Sequence, residues 1–224
     1  MKVAERTYQT LRRRLMVNYY EPGSFLREVS VAKDLKVSRT PVRTAFQRLI
    51  AEGLLTTAER RGAIVTGWRK SDTEDIFKLR IHLEGYAASL AASAIDDGQL
   101  NSLISTNERM RAAVSGDSEN RIERIAEENK AFHEGILDAT GQGYLGMFGR
   151  TLLHLPMVSG FFLYSQEEME ESIRQHEDII AALEARNEKW AEAAMAAHLS
   201  RAMVRFKRHS DKETSEQLTY RNNE

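Results

Sequence analysis

Residues 26–57 read LREVSVAKDLKVSRTPVRTAFQRLIAEGLLTT and contain two short helical patterns separated by a turn. Val42, Phe46 and Leu49 recur at i, i+4 and i+7, which predicts a buried stripe along the second helix. Ser38 is placed as the N-cap of that helix, where its hydroxyl is expected to accept a hydrogen bond from a free backbone N–H. Two short helices in this order are typical of a helix-turn-helix, so we expect the segment to bind duplex DNA.

The first turns of the second helix carry the side chains expected to read DNA. Arg39 and Arg43 lie off the buried stripe, and a guanidinium binds either guanine or phosphate through two hydrogen bonds. Thr40 can contact a base edge or a thymine methyl group, and Ser38 can reach a phosphate. Because a recognition helix uses its N-terminal residues in the major groove, these positions are the predicted DNA contacts.

A hairpin after the second helix is expected to form a wing. Residues 54–57 and 63–66 are short β-prone runs, and Arg60, Arg61 and Gly62 lie at the tip between them. Arginine responds to the width of the minor groove and glycine permits close approach, so the tip is expected to enter that groove. The competing interpretation, solvated arginines on an ordinary small α/β module, does not account for these features occurring in this order.

Charge is divided unevenly along the chain. Residues 1–70 hold 15 Lys and Arg against six Asp and Glu, whereas residues 71–224 hold 17 against 27. A basic first third suits a module that faces phosphates, and an acidic remainder stays away from DNA. The chain contains no cysteine, which excludes disulfides and thiolate metal sites and favours a cytoplasmic location. It has no run of about 18 apolar residues, so no membrane partner is expected.

The rest of the chain predicts helices throughout. Segments near 72–94, 97–115, 119–139, 143–155, 167–186 and 188–209 show a helical period of about 3.6 residues. Short connections between them favour an antiparallel bundle of six to seven helices. We therefore expect a mainly α chain: an N-terminal winged helix-turn-helix domain over 1–70, an effector-binding and dimerisation domain over 71–209, and a disordered polar tail over 210–224.

Three histidines fall on the apolar stripes of three different predicted helices. His133, His176 and His198 each point inward if the helices pack by those stripes. Their imidazoles can then converge on one divalent ion, with Asn129 one turn before His133 as a further ligand. Each histidine alone is interpreted as a hydrogen-bonded core residue, but the three together favour a metal site.

At the motif level the N-terminal part resembles the GntR family of bacterial transcription regulators. The resemblance rests on LKVSRTPVR at residues 35–43 and RLIAEGL at residues 48–54. The helical part is similar to the branch of that family with a FadR-type C-terminal (FCD) domain, and the two together cover nearly the whole chain. One departure is Thr44, which stands where the family usually has Glu, so Arg43 is expected to lack an orienting ion pair.

The resemblance also implies a divalent metal in the helical domain. In that branch an acidic residue stands four positions before a histidine on one helix, and two later helices each supply one further histidine. His133, His176 and His198 match those histidines, but Asn129 occupies the acidic position. A neutral amide is a weaker ligand than a carboxylate, so affinity for zinc, nickel or manganese is expected to fall. Asn129 can coordinate through its oxygen, be replaced by water, or leave the pocket without metal.

Arg80 is the candidate for binding an effector. It shares an apolar stripe with Ile76 and Leu83, and a buried guanidinium is a good partner for a carboxylate ligand. The alternative partner is Glu84, four residues later on the same helix. Both residues match the family's Leu-Arg-x-x-Leu-Glu pattern, and we favour the ligand role for Arg80.

These patterns predict a ligand-responsive DNA-binding regulator of transcription that senses a small carboxylic acid. The resemblance to the family implies a repressor. A homodimer on a palindromic operator is expected, because one winged helix reads too few base pairs. Two alternatives stay open: a metal-dependent enzyme fused to a DNA-binding module, and a constitutive DNA-binding protein with a purely structural bundle. No enzyme is expected, since Leu137 stands where a His-Glu-x-x-His motif starting at His133 needs its second histidine.

Overall fold

Residues 3–16, 19–58, 62–66, 70–118, 120–153 and 164–221 are described by the computed structural model of the protein. The chain divides into two units. One unit comprises Met1–Thr73 with Lys207–Glu224, and the other comprises Glu74–Phe206. In the described ranges, no helix is both long enough and apolar enough to cross a membrane.

The first unit contains a winged helix. Its elements are α1 (Val3–Met16), β1 (Phe25–Arg27), α2 (Glu28–Asp34), α3 (Arg39–Ala51), β2 (Leu55–Ala58) and β3 (Gly62–Val65). The strands form an antiparallel sheet in the order β1-β3-β2. Helix α3 packs against α1 and α2, and its predicted stripe of Val42, Phe46 and Leu49 is buried. Strand β1 was not predicted, because three residues are too few to show strand alternation.

The start of α3 differs from the prediction in one respect. Ser38 is the N-cap, with extended φ −73° and ψ 168°, but its side chain makes no capping hydrogen bond. An N-cap side chain accepts from the second or third backbone N–H of its helix, and Pro41 at the third position has none. The predicted hydroxyl contact is therefore wrong, although the position of Ser38 is right.

The end of α3 has a glycine in left-handed backbone geometry. Gly53 has φ +73°, a conformation in which glycine avoids the cost of a Cβ. The N–H of Leu54 donates to the carbonyl of Leu49 at 2.9 Å, which satisfies an orphan carbonyl of the last turn. This closure ends the helix and turns the chain into β2.

Helices make up the second unit. They are α4 (Lys70–Ala94), α5 (Asp97–Ser115), α6 (Arg121–Ala139), α7 (Gly143–Leu153), α8 (Gln166–Glu184) and α9 (Glu188–Arg221), of which α4 and α9 extend beyond its limits. Asp96 and Ser165 start α5 and α8 with reciprocal capping boxes. The main core draws on α4, α5, α6, α8 and α9, and includes Ala88, Leu103, Phe132, Ile136, Ile179, Leu183, Met195 and Leu199. This packing aligns the inner faces of α6, α8 and α9.

The last helix is longer than the sequence patterns predict. Helix α9 continues to Arg221, so the expectation of a disordered tail over 210–224 is wrong for residues 210–221. Residues 222–224 lie outside the described part of the chain. From Glu188 to Arg221 there is no glycine or proline, and the polar residues include many good helix formers. The polar composition of residues 210–221 was therefore not enough to predict that the helix ends before them.

Candidate DNA interface and candidate metal centre

The face of α3 opposite its buried stripe is exposed and carries the predicted DNA-reading residues. Arg39, Thr40 and Arg43 are all exposed, and Ser38 is exposed at the N-cap. Arg39 and Thr40 occupy the first two positions of the helix. A guanidinium and a hydroxyl at an exposed helix N-terminus have the reach and chemistry for base edges and phosphates.

Arg43 is held by a carboxylate that the sequence analysis missed. Its Nε donates to Oε1 of Glu28 at 3.0 Å and its Nη2 donates to Oε2 at 2.9 Å. The Arg43 side chain is 52% exposed whereas that of Glu28 is 9% exposed, so a fixed carboxylate positions an accessible guanidinium. The hydrogen bonds and negative charge of Glu28 raise the pKa of Arg43.

This pairing corrects the expectation drawn from Thr44. Arg43 has an orienting ion pair, but the acid comes from the first residue of α2 and not from the position after the arginine. The Thr44 hydroxyl instead donates to the carbonyl of Thr40 at 3.2 Å. Fifteen residues separate Glu28 from Arg43, so no spacing along one helix could have indicated the contact.

The predicted wing tip is only partly described. Arg60 and Arg61 lie outside the described residues, and their DNA contact stays a prediction. Gly62 begins β3 and is paired with Arg27 on one side and Ala58 on the other. A Cβ at Gly62 would lie 2.4 Å from a backbone oxygen of β1, so the sheet itself requires glycine there.

The three predicted histidines meet inside the second unit. His133 comes from α6, His176 from α8 and His198 from α9, and they are 1%, 0% and 3% exposed. One potential ligand atom of each lies within 4.8 Å of those of the other two. The sequence prediction that three helices bring these imidazoles together is confirmed in the structure, and the cluster could hold a metal ion.

Two of the histidines are oriented by side-chain amides. Asn107 donates through Nδ2 to the carbonyl of Ile173 at 3.2 Å, which leaves its Oδ1 3.1 Å from Nδ1 of His176. Likewise, the side-chain oxygen Oε1 of Gln175 lies 2.9 Å from Nδ1 of His198. An oxygen facing Nδ1 places the ring proton there, so Nε2 keeps the lone pair that a metal needs.

The third histidine faces a buried ion pair. Nδ1 of His133 lies 2.6 Å from Oε2 of Glu84, close but not aligned as a hydrogen bond. Oε1 of Glu84 accepts from Nε of Arg80 at 2.6 Å. Burial by itself would raise the pKa of Glu84, but the charges of Arg80 and His133 outweigh burial and lower that pKa to about 2. Glu84 is therefore an anion beside the cluster.

Several buried polar atoms at the cluster have no hydrogen-bond partner among the described residues. They include Oδ1 of Asn129 and Nε2 of both His133 and His176. Leaving a buried acceptor unpaired costs about 1–3 kcal/mol, so three at one place favour a bound group that would pair them. Imidazole nitrogens and an amide oxygen suit zinc, nickel or manganese, and the residues present therefore fit a divalent ion.

Burial also keeps two of the imidazoles neutral. It lowers the pKa of His176 and His198 well below the usual value, and the neighbouring histidines lower these pKa values further. A neutral imidazole is the form that binds a metal.

The structure places Arg80 in the bundle interior, as the sequence predicts. Arg80 is 3% exposed, and its charge contributes to lowering the pKa of His198. Its partner Glu84 is the alternative that sequence spacing allowed, but the pair is buried and is not an ordinary surface pair.

A second buried arginine was missed by the sequence analysis. Arg205 is 5% exposed, lies 5.7 Å from the ring of Tyr164 and places Nη2 2.5 Å from Oε2 of Glu171. Burial raises the pKa of Tyr164 to about 12 although Arg205 and Arg80 act to lower it. The available signal was spacing, because Arg205 follows His198 by two helical turns.

Comparison with known proteins identifies the class. Residues 3–65 match the gntR family of bacterial regulatory proteins, and residues 75–201 match the FCD domain. The chain therefore belongs to the gntR family of bacterial regulatory proteins, in the group that carries an FCD domain, and it is a DNA-binding regulator of transcription. The winged helix-turn-helix and helical second domain predicted from the sequence are confirmed.

Individual relatives are similar over most of their length. The HTH-type transcriptional repressor RspR of Escherichia coli is 29% identical over 203 residues, covering 88% of this chain and 86% of the relative. The HTH-type transcriptional repressor GlaR of Escherichia coli is 26% identical over 198 residues, with 86% and 90% covered. The fold resembles that of E. coli McbR/YncC, with a TM-score of 0.61, 22% identity, and 93% and 98% covered. The names describe transcription regulators and not enzymes.

Proposed function

We propose that this protein binds a small organic acid in its FCD domain and changes its affinity for an operator in response. The observation that carries the proposal is the buried histidine cluster, in which several acceptor atoms have no hydrogen-bond partner among the described residues. The same chain carries a candidate DNA-reading helix, α3. A purely structural core has no reason to bury unpaired polar atoms together. The cluster is therefore better explained as a binding site.

A divalent ion would be held by His133, His176 and His198, with Oδ1 of Asn129 as a further ligand. When bound, a zinc, nickel or manganese ion supplies a positive centre that attracts a carboxylate oxygen. The amide oxygens of Asn107 and Gln175 keep two rings in the tautomer that offers Nε2. The histidines thus form a preorganised site.

Arg80 would contribute to binding the acid. Its guanidinium is buried near His198, and Glu84 uses its Nε, so any carboxylate it binds must approach the terminal nitrogens. A guanidinium binds a carboxylate well because its planar donors match the two oxygens. Arg80 and the histidine cluster therefore favour an anionic effector over a neutral one.

On the DNA side, Arg39, Thr40 and Arg43 would contact the operator from the major groove. The protein would act as a homodimer on a palindromic site, because two recognition helices double the sequence that is read. Its relatives RspR and GlaR are named repressors, which supports repression here. The effector would shift operator affinity only by the difference between its own affinities for the operator-binding conformation and the non-binding conformation of the protein. We place the protein in the cytoplasm, where its operator would lie.

The test is a thermal-shift panel of small carboxylic acids on zinc-loaded full-length protein, followed by operator-binding assays with each stabilising acid. Acids that raise the melting temperature are expected to change operator affinity. The double variant His176→Ala with His198→Ala should lose both effects, whereas His82→Ala, which removes an exposed histidine, should keep them. A panel in which no acid alters either property would leave a constitutive DNA-binding protein instead.

A further inference from the structure

Arg27 is an exposed arginine at the junction of β1 and α2. It is the last residue of β1, and Glu28 begins α2 directly after it. Its side chain makes no hydrogen bond or ion pair with the described residues. It shares the outer face of the sheet with Phe25, two residues earlier, and its guanidinium carbon lies 6.0 Å from the centre of the Phe25 ring.

Several other arginines of the first unit are held by carboxylates. The pairs are Arg12 with Glu52, Arg14 with Asp34, Arg43 with Glu28 and Arg48 with Glu5. Arg39, the first residue of α3, resembles Arg27 in that no carboxylate among the described residues pairs with it. The charge of Arg27 is therefore available to a partner outside the chain.

The local structure gives no reason for an arginine at position 27. Arg27 is the N-cap of α2, with φ −87° and ψ 130°, and its side chain makes no capping hydrogen bond. An N-cap side chain must accept a hydrogen bond from a backbone N–H, whereas a guanidinium only donates. Asn, Asp or Ser would stabilise the start of α2 better. A residue that breaks a local rule in this way favours a role in binding over a role in folding.

Two contacts place Arg27 between the elements that are predicted to read DNA. Its neighbour Glu28 accepts hydrogen bonds from the guanidinium of Arg43 on α3, at 3.0 and 2.9 Å. On the other side Arg27 is paired with Gly62, which begins β3 on the wing. When α3 lies in the major groove and the wing in the adjacent minor groove, a residue between them faces the phosphate backbone that separates the two grooves.

We propose that Arg27 binds a DNA phosphate between the two grooves and so sets the orientation of α3 and the wing on the operator. The inference rests on the proposed contacts of α3 with the operator and adds a contact outside both reading elements. Phosphates carry no sequence information directly, so Arg27 contributes affinity and orientation without base preference. Arg39, at the start of α3, contributes the base preference.

The experiment titrates labelled operator, and an unrelated duplex of the same length, with wild type and Arg27→Asn at several salt concentrations. Loss of one phosphate contact lowers the slope of log affinity against log salt by about 0.9 for each copy bound. At about 0.1 M salt this corresponds to roughly eightfold weaker binding per copy. The loss should be the same for both duplexes. Because Asn can cap α2, the melting temperature should equal or exceed that of the wild type, which excludes misfolding as the cause.

Three further variants isolate the contact. Arg174→Asn is the matched control, because Arg174 is an exposed arginine of α8 without an ion pair among the described residues. It removes the same charge and should leave the slope and both affinities unchanged. Arg27→Lys keeps the charge and should retain most of the slope. Arg39→Ala tests the proposed contacts of α3 separately, and it should weaken operator binding more than binding to the unrelated duplex.

The outcomes separate the inference from the proposed function. An unchanged salt slope in Arg27→Asn, with a loss of operator preference in Arg39→Ala, would overturn the phosphate contact and leave the recognition helix in place. A loss in Arg27→Asn that is confined to the operator would also overturn it, because Arg27 would then read bases. No change in either variant would overturn both the inference and the proposed role of Arg39. An equal loss in Arg174→Asn would assign the effect to net charge and not to a contact.

Discussion

The exposed face of α3 and the histidine cluster solve opposite electrostatic problems. On α3 the arginines remain in water, and the guanidinium of Arg43 is oriented by one largely buried carboxylate, Glu28. In the cluster, three imidazoles are buried together, those of His176 and His198 are kept neutral by burial, and the nearby Glu84 is paired with Arg80. The first arrangement suits a polyanion that is bound at the surface, and the second suits a small charged ligand that gives up its hydration. Without effector, a mutation at one site should therefore leave binding at the other site unchanged.

Removing one imidazole should have the largest effect. His176→Ala is expected to abolish stoichiometric metal binding, because three histidines share one site and a Cβ methyl offers no lone pair. Metal content after purification and dialysis is the measurement, and His82→Ala is the control. Operator affinity without effector should stay near the wild-type value. A variant that still carries one equivalent of metal would place the site elsewhere.

The second-largest effect is expected on operator binding by the exposed face of α3. Arg43→Ala should weaken specific operator binding by about 1–3 kcal/mol, because a positioned guanidinium is lost from the recognition helix. Lys78→Ala removes a positive charge from an exposed surface pair and should leave operator affinity nearly unchanged. Titration of labelled operator at fixed salt measures both. Equal affinity for wild type and Arg43→Ala would exclude Arg43 as a DNA contact.

Amides behind the histidines should matter less than the histidines themselves. Gln175→Ala is expected to lower metal affinity by about 10- to 100-fold, the usual effect of losing a partner that orients a ligand. Gln166→Ala is the matched control, since Gln166 lies on the same helix and contacts exposed Glu170. Competition with a zinc indicator measures the difference. If both variants bind zinc alike, Gln175 does not orient His198.

Glu28→Gln should give the smallest effect on affinity and the most specific one. The variant loses the charge that holds Arg43, so discrimination against a mutated operator should fall by about tenfold or less. Affinity for unrelated DNA should rise slightly, because a negative charge near phosphates is removed. The ratio of the two dissociation constants is the measurement. A ratio equal to that of the wild type would mean that Glu28 acts only within the fold.

Much of the fold follows from local patterns. The buried stripe and terminal glycine of α3 follow from spacing and from the left-handed backbone at Gly53. The helices of the second unit follow from apolar periodicity, and the same periodicity points the three cluster histidines inward. Two errors occurred where a neighbouring residue overrode a local rule. Pro41 removed one of the two donors that Ser38 could have capped, and polar helix formers extended α9 past residue 209.

The sequence by itself determined which residue types lie on which face of each helix, because those properties depend on neighbours within a few positions. Only the tertiary structure decided their partners. Arg43 meets Glu28 from 15 residues away, and His176 meets Asn107 from 69 residues away. Separation along the chain carries no information about such contacts, since they depend on how whole helices pack. The packing of α6, α8 and α9 turned three separate core histidines into one candidate site.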